Sequence, residues 1–190
     1  GKTTLVKQIL KQVPADKIVI LSQDSYYRDA IELPLEERRK INFDHPDSIE
    51  WELLVKDILK LQGESPIHIP TYSYLECIRL PETIYTEPKK ILIVEGILIY
   101  TCPELRDLLD MKLFLEVPSD QRLTRIMRRD IKSRGRTVDM VIDRYYKVVR
   151  PMHEEFIEPS RNYADMLVMG GGKNQQAADF IASAILEKIG

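Results

Sequence analysis

The 190 residues include only two cysteines, Cys77 and Cys102. Two thiols are too few for a disulfide framework, which predicts a reducing, cytoplasmic setting. No apolar run approaches the about 20 residues that a bilayer-spanning helix needs, so no membrane association is expected. No signal peptide is expected ahead of the first helix either. The three histidines, His45, His68 and His153, share no metal-ligand spacing. His68 lies between Ile67 and Ile69 and reads as a strand residue. Excess charge is also scarce: 28 basic and 30 acidic side chains leave a net charge of −2. That weighs against a general nucleic-acid binder. The chain shows neither an internal repeat nor a low-complexity linker.

What is present fits one folded domain. Apolar residues make up 44% and charged residues 31%, the mix of a protein with a real core. Helical and strand-like patterns alternate, which predicts an α/β domain with a mostly parallel sheet. Leu5, Ile9 and Leu10 sit at helical spacing, and Pro14 closes that helix. Lys17 to Leu21 is a β-branched run read as a strand. Leu33 to Lys40 is expected to be helical, as is Trp51 to Leu61, where Asp47 and Glu50 have capping-box spacing ahead of the helix. Ile67 to Tyr85 reads as a small β-excursion. Ile91 to Val94, Met111 to Val117 and Met166 to Met169 read as further strands. Helices are expected over Gln121 to Arg134, over Val138 to Phe156 with an interruption at Pro151, and over Gln175 to Ile189.

Four features carry chemistry. Gly1-Lys2-Thr3-Thr4 matches the end of a phosphate loop, G-x-x-x-x-G-K-[ST], whose backbone N–H groups cradle phosphates. Lys2 would bridge the β- and γ-phosphates of ATP, and the Thr3 hydroxyl would bind Mg²⁺. A plain helix start with a solvated lysine would look the same. No strand and no glycine-rich half precede Gly1, so the sheet is expected to lack a member and the loop half its N–H donors. Asp24 follows the Lys17–Leu21 strand, where ligands of open α/β sheets sit, and could take a proton from an attacking hydroxyl; an Asx-turn or a cap is the plainer use. Glu95 ends the ILIV strand and could help hold Mg²⁺, or could be a strand-end carboxylate with no task. Arg122 to Arg136 is strongly basic, with Arg122, Arg125, Arg129, Lys132 and Arg136 at helical spacing opposite Leu123, Met127 and Ile131. Arginines suit a transferring phosphoryl group, and Gly135 offers a lid hinge. A solvated face, or a patch for RNA or membrane, would share that pattern.

Taken in order, ILSQDSYY (20–27), NFDHPDS (42–48), IVEGIL (93–98), RDIKSRGR (129–136) and RPMHEEFIEPSRNYAD (150–165) resemble the blocks of the uridine–cytidine kinase family. The resemblance runs over essentially the whole chain and implies a P-loop three-layer α/β sandwich with a helical lid. It implies a single kinase domain over 1–190, with the upstream strand and the first half of the phosphate loop absent. Its implied roles are Asp24 as catalytic base, Asp44 on the ribose hydroxyls, Tyr72 in the base pocket, Glu95 with Mg²⁺, Arg129 and Arg134 near the phosphates, and Arg136 near the acceptor. Gly1, Lys2, Thr3 and Thr4 would hold ATP. A homotetramer acting on a small-molecule acceptor is also implied.

Most departures lie on the acceptor side; one, Met169-Gly170-Gly171-Gly172 where the family has Pro-Arg-Gly-Gly, lies at the adenine end. Cys77 stands where the family has a histidine that contacts the pyrimidine, and a thiol is a weak donor. Ile126 stands where a second lid arginine is usual, and Arg144 where a glutamine is. The leading expectation is an ATP-dependent kinase of uridine, cytidine or a related acceptor. A kinase with altered acceptor specificity, a non-catalytic nucleotide-binding module and an RNA-binding protein are the alternatives.

Overall fold

A computed structural model describes residues 1–190, except for the side chains at 133 and 134. Its parallel strands lie between two layers of helices, and the alternation of side chains along β1 (Ile18–Ser22) shows why. Val19 and Leu21 enter one core, with Leu54 and Ile58 of α3 (Trp51–Gln62) and Leu105 of α4 (Pro103–Asp107). Ile18 and Ile20 enter the other, with Leu5 and Ile9 of α1 (Lys2–Ile9) and Ala178 and Ile181 of α9 (Gln175–Ile189). Four consecutive apolar residues, Ile18 to Leu21, can do this because successive side chains point to opposite faces.

β1 pairs in parallel with β4 (Ile91–Glu95), in a register that sets Ser22 opposite Glu95. A second parallel pair joins β5 (Leu113–Leu115) to β6 (Met166–Val168). The two pairs do not touch along their edges. A cavity of about 2330 Å³ separates them, lined by Ile91 to Glu95 on one side and Leu113 to Leu115 on the other. Leu5, Ile9, Ile181 and Ile185 also line it. The cavity is why β4, although apolar, is only half-buried: its second edge meets space instead of a strand.

The β-excursion is an antiparallel hairpin, β2 (Ile67–Ser73) with β3 (Ile78–Thr86), and its register shifts between Pro70 and Thr71. A proline cannot donate to the ladder, so it sits at the irregularity.

Several expectations need correction. Leu33 to Lys40 forms a single turn, α2 (Leu35–Arg38), because its residues stay exposed and find no core to pack on. The capping box before α3 does not form; Glu50 makes no side-chain cap and instead pairs with Arg79. The strand expected over Met111 to Val117 shortens to three residues. Pro151 does not break the helical path. From α6 (Val138–Arg144) the chain passes through a π turn (Tyr145–Val149), α7 (Arg150–Met152), a second π turn (His153–Ile157) and α8 (Glu158–Ser160). Widened turns absorb the missing N–H bonds of Pro151 and Pro159.

Candidate active site

The sheet brings Asp24, Glu95 and the start of α1 to one edge. Asp24 lies in the short turn Gln23–Tyr26 directly after β1, and that turn is firmly braced. Tyr26 is fully buried and donates to Asp57 of α3 at 3.0 Å. Burial and the neighbouring Asp57 push the Tyr26 phenol far above its ordinary range, so it stays a donor. Gln23 is also buried and accepts from the Leu98 backbone N–H at 2.7 Å. A Cβ at Gly96 would collide with Gln23 and Ile99, so the chain after Glu95 needs glycine there.

Both oxygens of Asp24 hold phenols. Tyr27 donates to Oδ1 at 3.3 Å and Tyr74 to Oδ2 at 3.0 Å. Tyr27, Phe43 and Tyr72 form an aromatic trio, with ring centroids 5.0, 5.1 and 6.1 Å apart. Burial, then the charges of Asp24 and Asp44, raise the Tyr27 pKa far above normal, which places both carboxylates beside this ring. The hydroxyl of Tyr72 is buried without a hydrogen-bond partner among the described residues, as are Nε and Nη2 of Arg79. Orphaned buried polar atoms mark a place for a ligand or water.

Asp44 is held in a cross-bonded loop. Its N–H donates to the Asn42 side chain at 3.1 Å, and Trp51 donates to the Pro46 carbonyl at 3.0 Å. Its carboxylate pairs with Arg144 at 2.6 Å. Both residues line the large cavity, together with Lys2, Glu95 and Arg129.

The phosphate-side residues are arranged less closely. Gly1 caps α1 and its carbonyl accepts from Leu5 N–H at 3.1 Å. The loop at Gly172 packs so closely on Gly1 that any side chain there would strike the Gly1 carbonyl. Thr3 and Thr4 are exposed on the first turn and do not line the cavity. Glu95 accepts from Ser22 Oγ at 3.4 Å. Among the described residues no three acidic, histidine or cysteine side chains cluster as metal ligands. The Thr3 hydroxyl and Glu95 carboxylate are nevertheless hard oxygen donors of the kind Mg²⁺ uses, and that ion takes most of its shell from water and phosphate.

Two residues differ from their expected use. Arg136, expected near the acceptor, turns back to Asp130 at 2.6 Å, and Arg129 binds the same carboxylate at 2.8 Å. Asp130 is fully buried in α5 (Ser119–Arg134), and Gly135 closes that helix in the left-handed conformation. Cys77 does not reach into the cavity; its thiol contacts the Tyr74 carbonyl of its own turn at 3.6 Å, on a backbone with φ of 54°. Arg134 lies outside the described residues. The sequence reasoning passed over Tyr27, Phe43, Tyr74 and Asp130. The single acid within the basic stretch 122–136 was a usable signal for Asp130; the aromatic trio, drawn from three separate segments, left none.

A parallel sheet between helical layers, with a carboxylate just after β1 and Lys2 opening α1, is the architecture of a P-loop kinase. The comparisons carry this further: the sequence model of the phosphoribulokinase / uridine kinase family matches residues 1–177, and the chain belongs to that family. It is 46% identical to the uridine kinase of Chloroflexus aurantiacus over 185 residues, covering 97% of this chain and 88% of that protein. A Bacillus cereus uridine kinase is likewise 46% identical, covering 97% and 87%. Among solved structures, phosphoribulokinase from Rhodobacter spheroides superposes with a TM-score of 0.63 at 16% identity, covering 87% of this chain and 64% of that one. A possible uridine kinase from Bacillus stearothermophilus gives 0.55 at 19% identity, covering 88% and 82%. These structures are similar in fold. Among the described residues, no helix is long and apolar enough to cross a membrane.

Proposed function

We propose that this kinase transfers the γ-phosphoryl group of ATP to the 5′-hydroxyl of a pyrimidine ribonucleoside or a close nucleoside-like acceptor. The observation that carries the reading is Asp24, a braced carboxylate at the sheet's carboxyl edge, beside an aromatic trio suited to a flat base. The kinship with proteins named uridine kinase supports the same acceptor class. In this scheme Asp24 takes the hydroxyl proton as the oxygen attacks. Lys2 and the N-terminus of α1 bind the phosphates, and Arg129 offsets the charge of the transferring group. Thr3 and Glu95 would hold Mg²⁺, which would supply electrostatic stabilisation of the phosphate oxygens. The slot between β4 and β5 has the character of a berth for one further parallel strand leading into α1, which completes a single kinase domain. A homotetramer in the cytoplasm is proposed on the resemblance alone.

The test is Asp24→Asn. It should lower kcat by about 10²–10⁴-fold with little change in the KM for ATP. Full activity in that variant would refute the assignment of the base. An acceptor panel of uridine, cytidine and purine ribosides accompanies it. The withdrawn Cys77 thiol and the Asp44–Arg144 pair favour a second reading, in which the same chemistry serves a shifted acceptor preference. Turnover of another riboside in preference to uridine would select that reading.

A further inference from the structure

We propose that Arg144 is a specificity-determining residue which, paired with Asp44, binds a vicinal diol of the acceptor as a donor–acceptor couple. The inference rests on the nucleoside-kinase reading above.

The pair joins residues 100 positions apart through one contact, Nη2 to Oδ2 at 2.6 Å. Both side chains are mostly covered, at 25% and 19% exposure, yet both line the cavity. Each end is fixed before any ligand arrives. Asp44 sits in a loop tied by Asn42, by Ser48 Oγ on the His45 carbonyl at 2.6 Å, and by Trp51. Arg144 ends α6, whose start is capped by the Thr137 side chain accepting from Met140 N–H.

A single contact leaves valence over. Asp44 Oδ1 can accept, and Nη1 and Nε of Arg144 can donate; none has another hydrogen-bond partner among the described residues. A hydroxyl both donates and accepts. Two neighbouring hydroxyls therefore satisfy the couple together, one donating to Oδ1 and the next accepting from the guanidinium. An anionic group fits worse. The charge of Arg144 is already offset by Asp44, and Glu95 lines the same cavity. A purely structural pair also explains less, since a partly exposed ion pair contributes only about 0–1 kcal/mol.

The test measures binding by calorimetry on the full-length protein with the non-hydrolysable ATP analogue present. Uridine is compared with 2′,3′-dideoxyuridine, which keeps the 5′-hydroxyl and lacks the diol. Wild type, Arg144→Gln, Asp44→Asn and the double variant are compared. Arg144→Gln should weaken uridine by about tenfold and leave the dideoxy compound within about twofold of wild type. The double variant should bind uridine more weakly than Asp44→Asn alone. Tighter uridine binding by Arg144→Gln would show that Arg144 masks Asp44, and would overturn the proposal. So would equal losses for both ligands, or a double variant no worse than Asp44→Asn, since either makes the arginine a mere brace. Wild type that binds both ligands equally would overturn it as well. Diol-selective binding without phosphorylation would leave the couple standing and sink the kinase reading instead.

Discussion

Asp130→Asn offers the clearest test of how the lid is built. Asp130 has no exposed surface, and its two oxygens hold Arg129 at 2.8 Å and Arg136 at 2.6 Å. Its backbone carbonyl accepts from Arg136 N–H at 3.2 Å, so one residue organises both the end of α5 and the chain beyond Gly135. An asparagine keeps the shape but loses the charge, and one of its two ends would present an N–H to a guanidinium N–H. Breaking a buried ion pair costs about 3–5 kcal/mol, whereas an exposed pair contributes about 0–1 kcal/mol. Here the carboxylate is buried, but the arginine side chains are 51% and 28% exposed. Water therefore screens the partners and the expected loss falls between those limits, at about 2–3 kcal/mol. Urea denaturation at matched slope reads it directly. The kcat should fall with it, because Arg129 loses the contact that sets its direction. A loss under about 0.5 kcal/mol with unchanged kcat would refute the argument that this carboxylate holds the lid.

Tyr74→Phe should raise kcat/KM for the acceptor by about 2- to 10-fold, the equivalent of one hydrogen bond to a carboxylate weakened by solvent exposure. Tyr74 is exposed on the hairpin turn and Tyr27 is buried, so Tyr74 is the phenol that must yield when a hydroxyl reaches Asp24; a fall in kcat/KM would show instead that Tyr74 positions the base. Stability should decline as pH drops. Burial, then Arg122, lowers the His153 pKa and outweighs Glu158 and Glu154, which act in the other direction. A histidine whose folded pKa lies below its unfolded value of about 6.5 contributes stability that is complete above that pH and is lost as pH falls towards the folded pKa. His153→Gln should flatten that part of a pH series of denaturation midpoints, and an unchanged slope would reject the cause.

Much of this was legible in the sequence because local rules coincided with tertiary ones. The runs read as strands at 17–21 and 91–94 became the paired strands Ile18–Ser22 and Ile91–Glu95, since the apolar residues of each pack into both cores. Asp24 and Glu95 could be read as site residues because strand ends in parallel sheets meet at one edge, and register does the rest. What escaped depended on partners distant in sequence. Nothing near Glu50 reveals that it would prefer Arg79 to capping its own helix. Asp130 stood out as an acid among arginines, but its burial, which lets it claim Arg136, comes from packing and not from its neighbours in sequence. The short run Met111 to Val117 lost its ends because only three residues find a neighbouring strand, β6.

The two halves of the site are built with different stiffness, and this bears on how the enzyme is tuned. On the acceptor side, the Asp24 turn is pinned to α3 through Tyr26 and Asp57. It is also pinned to the Asp44 loop, through Glu50 N–H on the Tyr26 carbonyl at 2.8 Å and Arg28 N–H on the Ser48 carbonyl at 2.8 Å. Asp24 and Asp44, the proposed base and the proposed diol ligand, thus share one cross-braced unit, and the Arg144 contact ties that unit to α6. On the lid, Arg129 and Arg136 hang from a single carboxylate next to a left-handed glycine. Changes in the braced unit should therefore alter which acceptor is bound, while changes around Asp130 should alter how fast a bound one reacts. Three of the departures from the family, Cys77, Ile126 and Arg144, stand at positions that the resemblance assigns to the acceptor. That is where substitution can shift substrate preference without disturbing the transfer chemistry.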